Sequence, residues 1–145
     1  MSEKKIIPND ILLGEATDLL ARGIEVVLMT KGNSMLPFIR GEKDSVRLKK
    51  LDSYGVGDIV LAHIRDARGA RYVLHRIISM DGDKLTLMGD GNLIGTESCM
   101  ISDISGTVME IIRPGDRGKK VNKATIWRKL LPVRRYLLAI YRRIV

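Results

Sequence analysis

The feature that most constrains this chain is a series of short apolar runs, each closed by a turn signal. They are IEVVLMT (24–30), SVRLKK (45–50), DIVLAHI (58–64), RYVLHRIISM (71–80), KLTLMG (84–89) and SGTVMEIIR (105–113). The separators YGVG, RDARGA, DGD, GDGN and RPGDRG carry the Gly, Asp and Pro that tight turns require. Runs of this length, rich in Val and Ile and recurring roughly every ten residues, predict strands. No helix-length pattern alternates with them, so a parallel βαβ sheet is not expected. The expected fold is mainly β, a compact β-sandwich or partly open barrel.

Helical spacing occurs only at the two ends. Residues 9–22 predict a short N-terminal helix, with Asn9 or Asp10 as cap, Ile11, Leu12, Ala16, Leu19 and Leu20 in the apolar pattern, and Gly23 at the end. Residues 114–123, PGDRGKKVNK, read as a polar linker. Residues 124–145 read as two helical pieces, with Pro132 in the first turn of the second. In that piece Val133, Leu137, Leu138, Tyr141 and Val145 fall on one side and Arg135, Arg142 and Arg143 on another. The expected organisation is a β domain over 1–113, a linker over 114–123 and a basic amphipathic tail over 124–145. With 145 residues the chain suits one domain.

The charge is unevenly spread. Residues 113–145 hold 11 Lys/Arg and one acid, whereas residues 1–112 hold 14 Lys/Arg and 16 acids. A nearly neutral body therefore carries a basic tail, and the overall +8 is no argument that the body binds nucleic acid. The tail has three readings: packing on the β-core, peripheral contact with an anionic membrane surface, or binding of nucleic acid or a partner protein. The last lacks interleaved aromatic stacking positions, which disfavours nucleic acid. Cys99 is the single cysteine, so no internal disulfide can form. The first residues lack the apolar core of a signal peptide, and no stretch is apolar enough to span a membrane. These features point to the cytoplasm, with the tail offering a contact to the inner face of the membrane. With two distant histidines and no Cys-x-x-Cys, no metal or cofactor is implied.

Chemistry enters at KGNSMLP (31–37), directly after the first apolar run. A serine hydroxyl needs a base within reach and donors for a developing oxyanion. Ser34 sits at a bend where backbone N–H groups can point outward, with Gly32, Asn33 and Met35 around it as candidate oxyanion and substrate contacts. In YVLHRII, alternation puts Val73, His75 and Ile77 on one strand face, which makes His75 a candidate base. His63 is the rival, placed at a strand end with exposure expected. Asp90 of GDGN or Glu97 supplies the carboxylate that would orient the imidazole. Each signal has an ordinary structural reading beside it: a surface turn, a core histidine, a hairpin turn.

Taken in order, the boxes are similar to those of the signal-peptidase superfamily of serine peptidases, which includes type I signal peptidases and LexA-like self-cleaving repressors. Gly32, Ser34, Met35 and Pro37 match the nucleophile box; Gly57, Asp58, Ile59 and Val60 match the GDIV box. His75, Arg76 and Ile77 match the base box, and Gly89, Asp90 and Asn92 the acidic box. The resemblance covers residues 24–112. His75 stands where many members have lysine, which resembles the endoplasmic-reticulum and archaeal type. The resemblance implies a β-rich catalytic domain without metal, acting on an extended peptide cut after small residues. Departures are plain: a short amphipathic helix bearing Asp10, Glu15 and Asp18 stands where a spanning anchor is usual, and Thr96, with Glu97 next to it, stands where a second acid is usual. The expected function is a serine endopeptidase processing a leader or precursor peptide. The alternative is a catalytically weak peptide-binding or adaptor module on the same scaffold.

Overall fold

A computed structural model describes residues 9–115, 119–121 and 138. Helix α1 spans Asn9–Ala21 and ends at Gly23, whose φ of 82° lies in the left-handed region that glycine adopts without strain. Then come β1 (Val26–Met29), β2 (Ser45–Lys49), β3 (Ile59–Asp66), β4 (Gly69–Asp81), β5 (Lys84–Met88), β6 (Glu97–Met100), a 3-10 turn at Ile101–Asp103, β7 (Ile104–Ile112) and β8 (Lys119–Lys120). All six apolar runs contain strands.

The strands form one antiparallel sheet in the order β1-β2-β7-β3-β4-β5-β6, with β8 added to β7. The sheet is not closed into a barrel, and among the described residues there is no second sheet to make a sandwich; β6 instead packs back against β3 as the sheet curls. Two strands lie outside the expected set. Glu97–Met100 carries a Glu-Ser-Cys-Met sequence with no apolar alternation, and Lys119–Lys120 falls in the stretch read as linker.

β3 is central and explains the two-sided core. Its residues Ile59 and Leu61 join Leu20, Met35, Ile39, Val46, Leu48, Val108 and Ile111 on one side. Its alternate residues Val60, Ala62 and Ile64 join Ile77, Leu85, Leu87, Cys99 and Ile104 on the other. That double burial is why DIVLAHI reads as a continuous apolar run and not as an alternating one. α1 lies against β1, β4 and β7, with Ala16 and Leu20 buried. Burying a side chain such as Leu20 contributes about 1.5–3 kcal/mol. Thr17 adds a hydrogen bond from Oγ1 to Ser105 Oγ at 2.9 Å. Among the described residues β1, which α1 touches, stands at one end of the strand order.

Among the described residues no helix is long and apolar enough to cross a membrane. The tail over 124–145 lies outside the described residues except Leu138, which is helical and buried.

Candidate functional site

The serine turn is held at its base before it is shaped at its tip. Thr30 and Asp44 close the loop: the Thr30 amide donates to Asp44 O at 3.0 Å, and Thr30 Oγ1 donates to the same oxygen at 2.8 Å. The fully buried Asp44 carboxylate accepts from the Arg40 amide at 2.7 Å and from Arg40 Nη2 at 3.2 Å. Within the loop, Leu36 N–H donates to Asn33 O at 3.2 Å and Ile39 N–H to Met35 O at 3.0 Å. Gly32 has φ 75°, and Gly41 presses on it so closely that a Cβ there would stand 2.0 Å from Gly32 O. Ser34 is left half-buried at the tip. Asp44 gave no sign in the sequence, because a polar residue before a strand reads as ordinary turn chemistry.

Opposite the turn stands His75, buried in β4 and paired with Val60 of β3. Its Nδ1 faces Glu97 Oε1 at 2.5 Å, and Glu97 is buried too. This contact explains β6: the strand brings a carboxylate inward at the position where an apolar residue would be expected. The opposite ring nitrogen, Nε2, points toward the serine turn. A Cβ built on Gly89 would meet Ser34 O at 2.3 Å and His75 Nε2 at 3.1 Å, so the serine turn and the imidazole converge on this glycine. Among the described residues, no hydrogen bond joins Ser34 Oγ to His75, and the Ser34 amide has no acceptor. Catalytic hydrogen bonds are often long before substrate binds.

The sequence left Asp90 and Glu97 as alternatives for orienting the imidazole, and their surroundings separate them. Glu97 meets Nδ1. Asp90 is 1% exposed and faces Arg76, itself fully buried, in a fork of Nε to Oδ1 at 2.8 Å and Nη2 to Oδ2 at 2.7 Å. The orienting role proposed for Asp90 is therefore corrected: its oxygens meet a guanidinium, not the ring. Arg76 Nη1 also donates to Gly57 O at 2.8 Å, and its guanidinium lies 5.3 Å from the Phe38 ring centre. One side chain thus ties together the GDIV box, the acidic box and the serine loop.

GDGN is a turn, closed by Asn92 N–H donating to Gly89 O at 3.0 Å in the connection from β5 to β6, and it also packs against the serine loop. Gly91 N–H donates to Ser34 O at 2.7 Å, and a Cβ on Gly91 would stand 2.3 Å from Asn33 O. Both glycines of GDGN are needed because the segment presses its backbone against the serine turn. The Asp90 amide approaches Met35 Sδ at 3.4 Å. The Met35 side chain, expected as a substrate contact, belongs to the core and forms part of the cleft wall. Asn33 is exposed, with its carbonyl engaged by the turn. His63, the rival base, is half-buried and lies on Tyr72, ring centres 4.6 Å apart. Tyr72 lies on the opposite face of β4 from His75 and lines the cleft, but His63 itself is not among the described residues that line it.

Ser34 and His75 both line a cleft of about 250 Å³, together with Thr30, Lys31 and Gly32. Two strand edges border it. Among the described residues β1 is paired only with β2, and β4 from Gly69 to His75 only with β3, since β5 joins at Arg76. Both edges offer backbone donors and acceptors to an extended chain. Cys99 shares the buried face of β6 with Glu97 but does not line the cleft; burial pushes its thiol up to about 11. Compared with models of known protein families the chain matches none, and no curated protein matches it.

Proposed function

We propose that this protein is a serine endopeptidase with a catalytic domain of the signal-peptidase and LexA type. Ser34 is the nucleophile, His75 the general base and Glu97 the group that orients His75. The observation that carries the reading is the convergence at Gly89: a buried imidazole, held at Nδ1 by a carboxylate, turns its Nε2 toward a serine at the mouth of a cleft. Glu97 on Nδ1 favours the tautomer whose Nε2 is free to accept a proton, and stabilises the imidazolium that results.

An extended peptide enters between the β1 and β4 edges and bonds to one or both through its backbone. Ser34 Oγ attacks the scissile carbonyl as Nε2 takes the hydroxyl proton. The unengaged Ser34 N–H helps to bind the oxyanion. Nε2 then protonates the departing amine, and water releases the acyl group by the same relay in reverse. The substrate is a leader or precursor peptide met on the cytoplasmic side.

The test is labelling by a fluorophosphonate probe, with Ser34→Ala and His75→Ala as controls. Rapid labelling of the wild type and loss in both variants supports the reading. A second reading, a peptide-binding module without efficient turnover, draws on the missing Ser34–His75 hydrogen bond. It predicts no labelling at any pH and equal peptide binding by the wild type and both variants.

A further inference from the structure

We propose that the cleft selects an aliphatic side chain of leucine or methionine size at the residue whose carbonyl Ser34 attacks. The inference rests on the peptidase reading and adds its specificity. It departs from the small residue that the family resemblance implies.

The cleft has two zones. Its mouth is polar, formed by Thr30, Lys31, Gly32, Ser34 and His75. Its depth is apolar, walled by Leu13 of α1, Leu28 of β1, Leu48 of β2, Leu61 of β3 and Leu74 of β4. Leu48 and Leu61 are core residues, so the cleft runs from the serine into the main hydrophobic cluster. Among the described residues no acid lines it, and Lys31 and His75 are its basic side chains, both on the polar side with Ser34. A charged side chain carried inward would lose its hydration and find no opposite charge, with the Tyr72 hydroxyl the polar group beside those walls.

Size points the same way. Protein interiors leave few voids larger than a water molecule. An apolar cavity of about 150 Å³ is enough to hold benzene, and this cleft offers about 250 Å³. An alanine methyl would leave most of that space unfilled, whereas a leucine or methionine side chain reaches the apolar walls. A single methylene in a fitted apolar pocket is worth about 10- to 200-fold in specificity. A preference for leucine over alanine of at least about tenfold is therefore expected.

Leu28 is the specificity-determining residue. It is half-buried on the edge strand, paired with Val46 in the register, and lines the cleft without being one of the fully buried core residues. Leu13 faces the same space from the helix.

The probes are two N-acyl aminoalkyl diphenyl phosphonates that differ only in a methyl or an isobutyl side chain. In the labelling step Ser34 Oγ forms a bond to phosphorus, phenoxide leaves with the electron pair of the broken P–O bond, and the hydroxyl proton passes to His75. Wild type should react with the isobutyl probe at least about tenfold faster. Leu28→Phe, which fills the cleft, should bring the ratio toward one or below; Leu13→Phe serves where Leu28→Phe fails to fold.

Equal rates, or a faster methyl probe, overturn the aliphatic pocket and leave the peptidase standing. An isobutyl preference unchanged in folded Leu28→Phe and Leu13→Phe also overturns it, because the selecting surface then lies elsewhere. Failure of both phosphonates and of a fluorophosphonate to modify Ser34 overturns the pocket and the peptidase together.

Discussion

Removing the Asp90 carboxylate separates architecture from chemistry in this site. Arg76 is fully buried, and its guanidinium meets both Asp90 oxygens. Asp90→Ala would remove the carboxylate that this buried cation meets at both oxygens, while its contacts with Gly57 O at 2.8 Å and the Phe38 ring stay. Breaking one partner of a buried ion pair typically costs about 3–5 kcal/mol, a large part of the roughly 5–15 kcal/mol that holds a domain folded. For a chain of this size that corresponds to a fall in Tm of about 10–20 °C. Urea and thermal unfolding of the wild type and Asp90→Ala measure it. The double variant Arg76→Met/Asp90→Leu removes both charges and should recover most of the loss, because an apolar pair of similar volume is often neutral or better. If Asp90→Ala costs less than about 1 kcal/mol, the closed buried pair described here is refuted.

Other expectations follow from the same geometry. Glu97→Gln keeps the shape but loses the charge on Nδ1, so fluorophosphonate labelling should slow by about 10²–10⁴-fold, with a smaller change in Tm than Asp90→Ala produces. Gly89→Ala places a methyl 2.3 Å from Ser34 O and 3.1 Å from His75 Nε2; backbone must move, costing about 1–3 kcal/mol by unfolding, and labelling should nearly vanish. Cys99 should resist iodoacetamide at pH 8 in the native protein and react fully in urea, since burial raises its thiol from 9.0 to about 11. The sign follows for stability: the native state holds this proton more tightly, so its contribution is intact below pH 9.0 and is lost as pH rises toward about 11. Comparing unfolding of wild type and Cys99→Ala across that window isolates the effect.

Much of the scaffold is legible in the sequence, because the strands that build the core carry a continuous apolar signal. β3 buries both faces, and β4 and β7 are long enough to show through their turns. The strand β6 stays hidden for a physical reason. Its buried positions are Glu97 and Cys99, and Glu97 is buried because His75 meets it. The residue that hides the strand is the one that meets the ring, so Glu97 can be named from the sequence as a candidate carboxylate while the strand that carries it cannot.

The serine turn and the histidine could be picked out from residue type and order. What could not be read is which carboxylate serves the ring. Asp90 lies in the more conspicuous motif, yet Arg76, the residue after His75, points to the opposite face of β4 and meets it there. Choosing between Asp90 and Glu97 depends on strand alternation and on the curl that returns β6 to β3, both long-range properties. The glycines of GDGN were equally ambiguous. A hairpin would use them for their φ angles, whereas here they are small because Ser34 and Asn33 lie against them.

The central claim is that Ser34 and His75 act on one reacting centre with Glu97 behind the ring. A crystal structure of the fluorophosphonate-treated protein tests it most directly. The account predicts phosphorus bonded to Ser34 Oγ, His75 Nε2 within about 3.2 Å of that Oγ or of a phosphonyl oxygen, and Glu97 still on Nδ1. An adduct on any other residue, or an imidazole turned away from the modified serine, would contradict it.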